Sequence, residues 1–257
     1  MGALETALRT RREQGGKAFV PYLTGGFPGV NADLLRAVAE VGADAIEVGV
    51  PHSDPVMDGG VIQQASSSAL AAGTRPADVL ETIREAALDV PVAVMTYVNP
   101  VLRRGVDVFL DDASGAGVAG MIVPDLPVDE AAAFDAACAA RNIDAVLLAA
   151  PGSAAARLET IGARAHGFVY CVATYGVTGA RETLSGTARG LVQALRPVTD
   201  LPLLVGVGIG TPEQAAESCG FADGVIVGSA LMARLVEGDR DGMLELARGF
   251  RAAIPAA

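Results

Sequence analysis

The chain of 257 residues contains no tryptophan, one lysine, two histidines and three cysteines, and each scarcity closes off a class of chemistry. Cys138, Cys171 and Cys219 lie far apart without CxxC spacing, so they supply no metal framework and suit a reducing compartment. Basic residues are also few: 19 Lys and Arg stand against 30 Asp and Glu, for a net charge of −11. The arginines are scattered over segments with the pattern of helix surfaces, so nothing offsets that field for a nucleic-acid backbone, and nucleic acid is excluded as a partner. No apolar run reaches the roughly 20 residues that a membrane span requires. The first 16 residues carry Glu5 and Glu13 among their arginines and read as an amphipathic helix, not a signal peptide. A cytoplasmic protein is expected. With no low-complexity linker or break in composition, residues 1–257 are expected to form a single domain.

What the sequence does have is a rhythm. Eight β-rich runs recur, KAFVPYL (17–23), AIEVGV (45–50), PVAVMTYV (91–98), GMIVP (120–124), DAVLLAA (144–150), GFVYCV (167–172), PLLVGVG (202–208) and DGVIVG (223–228). Between them lie segments of 3.6-residue apolar period. Start signals mark several of these: Asn31 as a cap, Thr74 and Pro76 ahead of ADVLETI, and Thr211, Pro212 and Gln214 as cap, first helical residue and capping-box partner. Near-continuous apolar strands indicate a parallel sheet covered on both faces, and eight βα units in this length predict a (β/α)8 TIM barrel. The N-terminal helix is an addition expected to close its bottom. Catalytic groups in such a barrel sit at the C-terminal strand ends and in the loops that follow.

By that rule Glu47, inside the apolar run AIEVG, is the residue that most needs a reason. A lone carboxylate in a barrel interior costs several kcal/mol or is driven toward its neutral form, which suits a general acid/base. Pairing with an arginine is the competing explanation. Asp58 falls in the next loop, on the face where a substrate enters, though an aspartate before Gly59 also makes an ordinary turn. Tyr22, Met95, Tyr97 and Ile122 fall at strand ends near these acids and are expected to enclose a flat apolar ring, unless core packing alone explains them. GVGIG (206–210) and VGSA (227–230) occupy the positions where barrels bind phosphate through bare glycine backbone and helix N-termini, which reconciles an acidic chain with an anionic ligand. The polar, glycine-rich segment 174–190 suggests a lid. Extended loops are therefore expected after the second and sixth strands.

The stretch EVGVPHSDPVMDGGVIQ, Glu47 to Gln63, closely resembles the signature of the tryptophan synthase alpha chain family. VPYLTGGFPG (20–29), MTYVNP (95–100), VPDLPVDE (123–130), YGVTGA (175–180), GVGIGTPEQ (206–214) and VGSA (227–230) are similar to that family's other motifs in the same order, so the resemblance covers nearly the whole chain. It implies retro-aldol cleavage of indole-3-glycerol phosphate to indole and glyceraldehyde 3-phosphate, by an enzyme of the carbon-oxygen lyase class whose alpha reaction breaks a C–C bond. Glu47 is then the acid/base, and Asp58 accepts the indole N–H. Tyr170 matches a family tyrosine near the reacting carbon, although packing of a strand aromatic fits it as well. Gly179, Gly208, Gly228 and Ser229 hold the phosphate, and Thr178 and Gly206 join them in binding substrate. The implied partner is a tryptophan synthase beta chain in an α2β2 tetramer, with Asp54 and Pro55 at the contact. This chain is expected to carry no cofactor, the pyridoxal phosphate belonging to the beta chain.

Other aldolase strategies fit poorly. A Schiff-base lysine would have to be Lys17, at the start of the first strand and on the wrong face. A zinc aldolase would have to use His52 and His166, and with His166 at the bottom face no ligand cluster is expected. His52 stands where the family usually has an apolar aromatic. Gly60, Val207 and the run Ala173, Thr174, Tyr175 are further departures, bearing on affinity and the lid. Two other readings stay open: a phosphosugar epimerase or thiamin-phosphate type synthase, which lacks the Glu47 and Asp58 pairing, and a chain whose main work is to activate a beta chain by binding it.

Overall fold

The computed structural model describes residues 1–173, 181–206 and 208–256, the side chains of 181–185 excepted. Thr178, Gly179 and Val207 lie outside the described residues. Eight parallel strands, β1 (Ala18–Thr24), β2 (Ile46–Gly49), β3 (Val92–Met95), β4 (Val118–Ile122), β5 (Asp144–Ala149), β6 (Val169–Val172), β7 (Leu203–Gly206) and β8 (Gly224–Val227), close into one barrel in sequence order. The last strand pairs with the first through Ala18 to Gly224 and Pro21 to Val227. The expected (β/α)8 architecture is therefore the observed one.

The helices around the barrel are α1 (Ala3–Glu13), α2 (Ala32–Glu40), α3 (Gly60–Ala71), α4 (Pro76–Ala86), α5 (Val98–Arg104), α6 (Val106–Gly115), α7 (Ala132–Ala139), α8 (Ala155–Arg164), α9 (Arg181–Leu195), α10 (Pro212–Cys219), α11 (Ser229–Val236) and α12 (Arg240–Ala253). Among the described residues none is long and apolar enough to cross a membrane. Local chemistry sets their starts. The Asn31 side chain accepts the Leu34 N–H at 2.9 Å, and Thr211 and Gln214 form the expected reciprocal box ahead of α10. At α4 the cap is Arg75, one residue later than Thr74, with Pro76 first in the helix.

Several boundaries differ from expectation. The run 91–98 stops being strand at Met95, because α5 begins at Val98 and takes in Asn99 and Pro100, a proline tolerated where the first-turn N–H groups have no helical partner. Strand β4 starts at Val118, within a glycine- and alanine-rich stretch that gives little β signal, and its register with β3 shifts between Val92 and Ala93. Of the segment 174–190 expected as a lid, Arg181 onward is helix α9, and residues 174–180 lie outside the described residues.

Helix α1 closes the bottom of the barrel, as expected. Leu4 is fully buried and reaches inside: a Cβ placed on Gly120 would sit 2.4 Å from its Cδ2. No side chain of α1's own caps it; Asp144, at the start of β5, accepts the N–H groups of Gly2 at 3.1 Å and Glu5 at 2.9 Å. Glu5 accepts from Arg9 Nε at 2.7 Å and from the Gly167 N–H at 3.3 Å. Glu5, Asp144 and His166 thus come together with potential ligand atoms within 4.8 Å. That corrects the expectation that no such cluster forms, since β5 and the turn before β6 bring His166 beside α1. It lies at the N-terminal face, away from the mouth, and its carboxylates are already engaged by N–H donors.

Candidate active site

Alternation along the strands aims Tyr22, Glu47, Met95, Ile122, Leu148 and Tyr170 into the barrel. Glu47 stands in register with Tyr22 on β1 and Ala93 on β3. It is 1% exposed, and its Oε2 is buried without a hydrogen-bond partner among the described residues. No arginine pairs with it there, so the competing explanation for this carboxylate finds no support. Burial first and the charge of Asp58 second push its pKa up to about 8.

Asp58 reaches the same space from the loop between β2 and α3. Burial raises its pKa to about 6, against the opposing pull of a hydrogen bond from Tyr97 and of the nearby His52. The Tyr97 hydroxyl donates to Asp58 Oδ2 at 3.3 Å and accepts the Met57 N–H at 3.0 Å. Tyr97 therefore lies two residues past the end of β3 and positions an acid. The two carboxyls are separated in acidity by their surroundings: near pH 7 the deeper one keeps its proton and the outer one is charged.

Two adjoining cavities open at this mouth. The smaller, about 370 Å³, includes both Glu47 and Asp58 and runs to Gly208, Gly228 and Ser229. The larger, about 740 Å³, includes Asp58 but not Glu47 and is walled by apolar residues such as Ile122, Pro124, Leu148 and Val172. Met57, Asp58, Met95 and Tyr170 border both. Together they offer an apolar slot, an acid pair at its junction and a glycine-lined end.

At the glycine-lined end the two helix N-termini are unequal. Gln214 Oε1 already accepts the N–H of Gly210 at 2.7 Å and of Thr211 at 3.2 Å, closing α10 from within. Helix α11 has no side-chain cap at Gly228, so its N-terminus is the one suited to an anion. Gly208 has φ +90°, a left-handed conformation that favours glycine.

The family model described as tryptophan synthase alpha chain matches residues 8–250. The chain belongs to the tryptophan synthase alpha chain family. It is 43% identical to the tryptophan synthase alpha chain of Carboxydothermus hydrogenoformans, covering 96% of each chain. It is 46% identical to that of Streptomyces avermitilis, over 92% of this chain and 87% of the relative. Among solved structures, Mycobacterium tuberculosis tryptophan synthase matches with a TM-score of 0.92 at 39% identity, covering 100% of this chain and 99% of the other. A Legionella pneumophila subunit alpha matches at 0.89 and 32%, covering 98% of each.

In this alpha chain the residues singled out in the sequence divide into groups. Glu47, Asp58, Tyr22, Met95, Tyr170, Gly208, Gly228 and Ser229 border the smaller cavity, and Ile122 the larger. Tyr97 borders neither but holds Asp58. Tyr170 is the second residue of β6. Gly206 borders neither cavity; a Cβ there would lie 2.3 Å from the Tyr170 hydroxyl oxygen, so its visible duty is to make room for that ring. Asp54 is exposed and Pro55 half-buried in the loop that carries Asp58, next to Val56, which is 78% exposed. Sequence reasoning missed Met57, Ile62, Ile226 and Leu148 as cavity walls. For Leu148 the signal was present, since it alternates with Val146 on the inner face of β5.

Proposed function

We propose that the chain cleaves indole-3-glycerol phosphate to indole and glyceraldehyde 3-phosphate. The observation that carries this reading is Glu47, a buried carboxyl with an oxygen that has no partner among the described residues, on a cavity that Asp58 shares. As a member of its family the chain is a lyase subunit of tryptophan biosynthesis and has a beta chain as its partner. Beyond that, we assign an α2β2 assembly, classification with the carbon-oxygen lyases and a cytoplasmic setting. Pyridoxal phosphate we place in the beta chain, with no cofactor in this one.

Protonated Glu47 delivers its proton to indole C3, and the positive charge that develops on the ring nitrogen is met by anionic Asp58, which accepts the N–H. The Glu47 carboxylate then removes the hydroxyl proton from the adjacent glycerol carbon. The C–C bond breaks, its electron pair returns to the ring, and the glycerol carbon becomes the aldehyde. Glu47 ends protonated, as it began, so no outside acid is needed. The apolar slot takes the indole ring, the α11 N-terminus with Gly228 and Ser229 takes the phosphate, and Tyr22 and Tyr170 exclude water around the acid. Asp54 and Pro55 are assigned to the beta-chain contact because their loop carries Asp58 from the surface to the site.

The test is release of indole and triose phosphate by wild type and Glu47→Gln, each with and without a beta chain. Glu47→Gln should lower kcat by at least about 100-fold, the range of a lost general acid/base. The wild-type kcat/KM should rise through an acid limb near pH 6 as Asp58 ionises and fall through an alkaline limb near pH 8 as Glu47 loses its proton. No cleavage by wild type under either condition would sink the reading. Beta-chain activation that survives intact in Glu47→Gln would instead favour a purely activating role.

A further inference from the structure

His52 is outside the acid pair, yet it sits where the loop after β2 folds against the mouth. Its ring stacks on Tyr97 with centroids 4.6 Å apart and planes 27° from parallel. Its Nδ1 accepts the Asp54 N–H at 3.1 Å, which places the proton of the neutral ring on Nε2. Tyr97 grips the far end of the same loop, through the Met57 N–H and the Asp58 carboxylate. The imidazole therefore joins the start of the loop to the tyrosine that fixes its end.

We propose that His52 is a positioning residue for Asp58 that acts through Tyr97, its stacked ring and loop anchor keeping the phenol hydroxyl aimed at the carboxylate. The proposal rests on the reading that Asp58 meets the ring nitrogen of the substrate. At 3.3 Å the bond from Tyr97 to Asp58 is longer than an ordinary O–H···O bond, so a small drift of the tyrosine ring is enough to lose it. Ser53, Asp54, Val56 and Met57 are all exposed, and other hydrogen bonds of the loop, Val56 N–H to the Asp54 carbonyl, Asp58 N–H to the Pro55 carbonyl and Gln63 Nε2 to the Asp58 carbonyl, hold its backbone and not the Asp58 carboxylate.

Several titratable groups surround the carboxylate. Glu47 on β2, Tyr22 on β1 and Tyr170 on β6 all feel its charge, and Asp125 lies within electrostatic reach of Tyr97. On its own loop are His52 and Asp54. Of these neighbours, Tyr97 favours its anion through a hydrogen bond, and the stack puts that bond at risk from one substitution.

The experiment is a carbon-13 NMR titration of the full chain labelled at the aspartate carboxyls, with the Asp58 signal assigned by its absence in Asp58→Asn. His52→Ala should raise the Asp58 midpoint by about half a unit or more, and His52→Phe, which keeps a stacked ring but no acceptor or charge, should fall between it and wild type. Kinetics run in parallel: His52→Ala should lower kcat about five- to tenfold with KM within about twofold, and His52→Phe should recover part of that loss. An Asp58 midpoint unchanged in His52→Ala overturns the proposal, as does a loss confined to KM. If His52→Ala does not fold, His52→Leu, which fills the space without a ring, takes its place, and a midpoint equal to wild type there is the overturning result. The titration needs no substrate, so an inactive wild type would sink the lyase reading while the midpoint still decides this one.

Discussion

At the scale of single residues, the site depends on which groups are denied partners and which are given room. Among the described residues Glu47 has no arginine partner, and Tyr170 has been given Gly206. A Cβ on that glycine would fall 2.3 Å from the tyrosine hydroxyl oxygen and 2.4 Å from Cζ, so the ring would have to move. Gly206→Ala should cost about 1–3 kcal/mol of stability, the usual range for overpacking. In a Tyr170→Leu background the same change should cost less than about 0.5 kcal/mol, because the clashing atoms are gone. Urea melts of the four proteins measure the cycle, and equal costs in both backgrounds would show that the glycine serves something other than the ring. This also marks a limit of sequence reading. GVGIG announces close backbone approach without saying what approaches. The answer lies in register: Tyr170 pairs with Leu204, two residues before Gly206, and that cross-strand relation is not written in either segment alone. Glu47, by contrast, was legible because one carboxylate in an apolar strand needs no partner strand to be conspicuous.

At the scale of elements, the strands were legible for the same reason that they are buried: covered on both faces, they are written as near-continuous apolar runs. Legibility failed where composition and conformation part company, as at Tyr97 and Val98, good strand formers that instead leave β3 and open α5. The bottom of the barrel was less legible still. Asp44 accepts the Phe19 N–H and two arginines, Arg11 and Arg251; Asp223 accepts the Leu203 N–H and Arg196; Asp144 caps α1. Nothing in their neighbouring residues distinguishes these aspartates from turn formers. Asp144 is the most exposed to test, since it supplies from β5 the cap that α1 lacks in its own sequence. Asp144→Ala should cost about 1–2 kcal/mol, as for the loss of an N-cap. Amide hydrogen exchange should quicken first at Gly2 and Glu5 and spread along α1, whereas the β5 amides should keep their protection. Uniform loss of protection across the barrel would mean that the aspartate supports the whole sheet and not the plug.

At the scale of the whole molecule, function and stability compete at Glu47, and pH shows the competition. Folding takes this carboxyl from an ordinary value of 4.5 to about 8. The sign follows from linkage: with the folded value raised, the folded state binds the proton more tightly than the unfolded chain does. The contribution to stability is therefore fully present below about pH 4.5 and is lost progressively as pH rises through about 8. At neutral pH the protein already gives up part of its stability to keep a proton where the reaction uses it. Glu47→Gln holds the same volume without the ionisation, so its advantage over wild type should grow from pH 5 to pH 8 and level off above that. A gain of the order of a few kcal/mol at the plateau is expected, as a shift of this size implies. Melting temperatures of the two proteins measured across that range give the difference directly. A gap that stays constant with pH would mean that the carboxyl titrates alike in the folded and unfolded chains, and the case for Glu47 as a proton donor at neutral pH would fall with it.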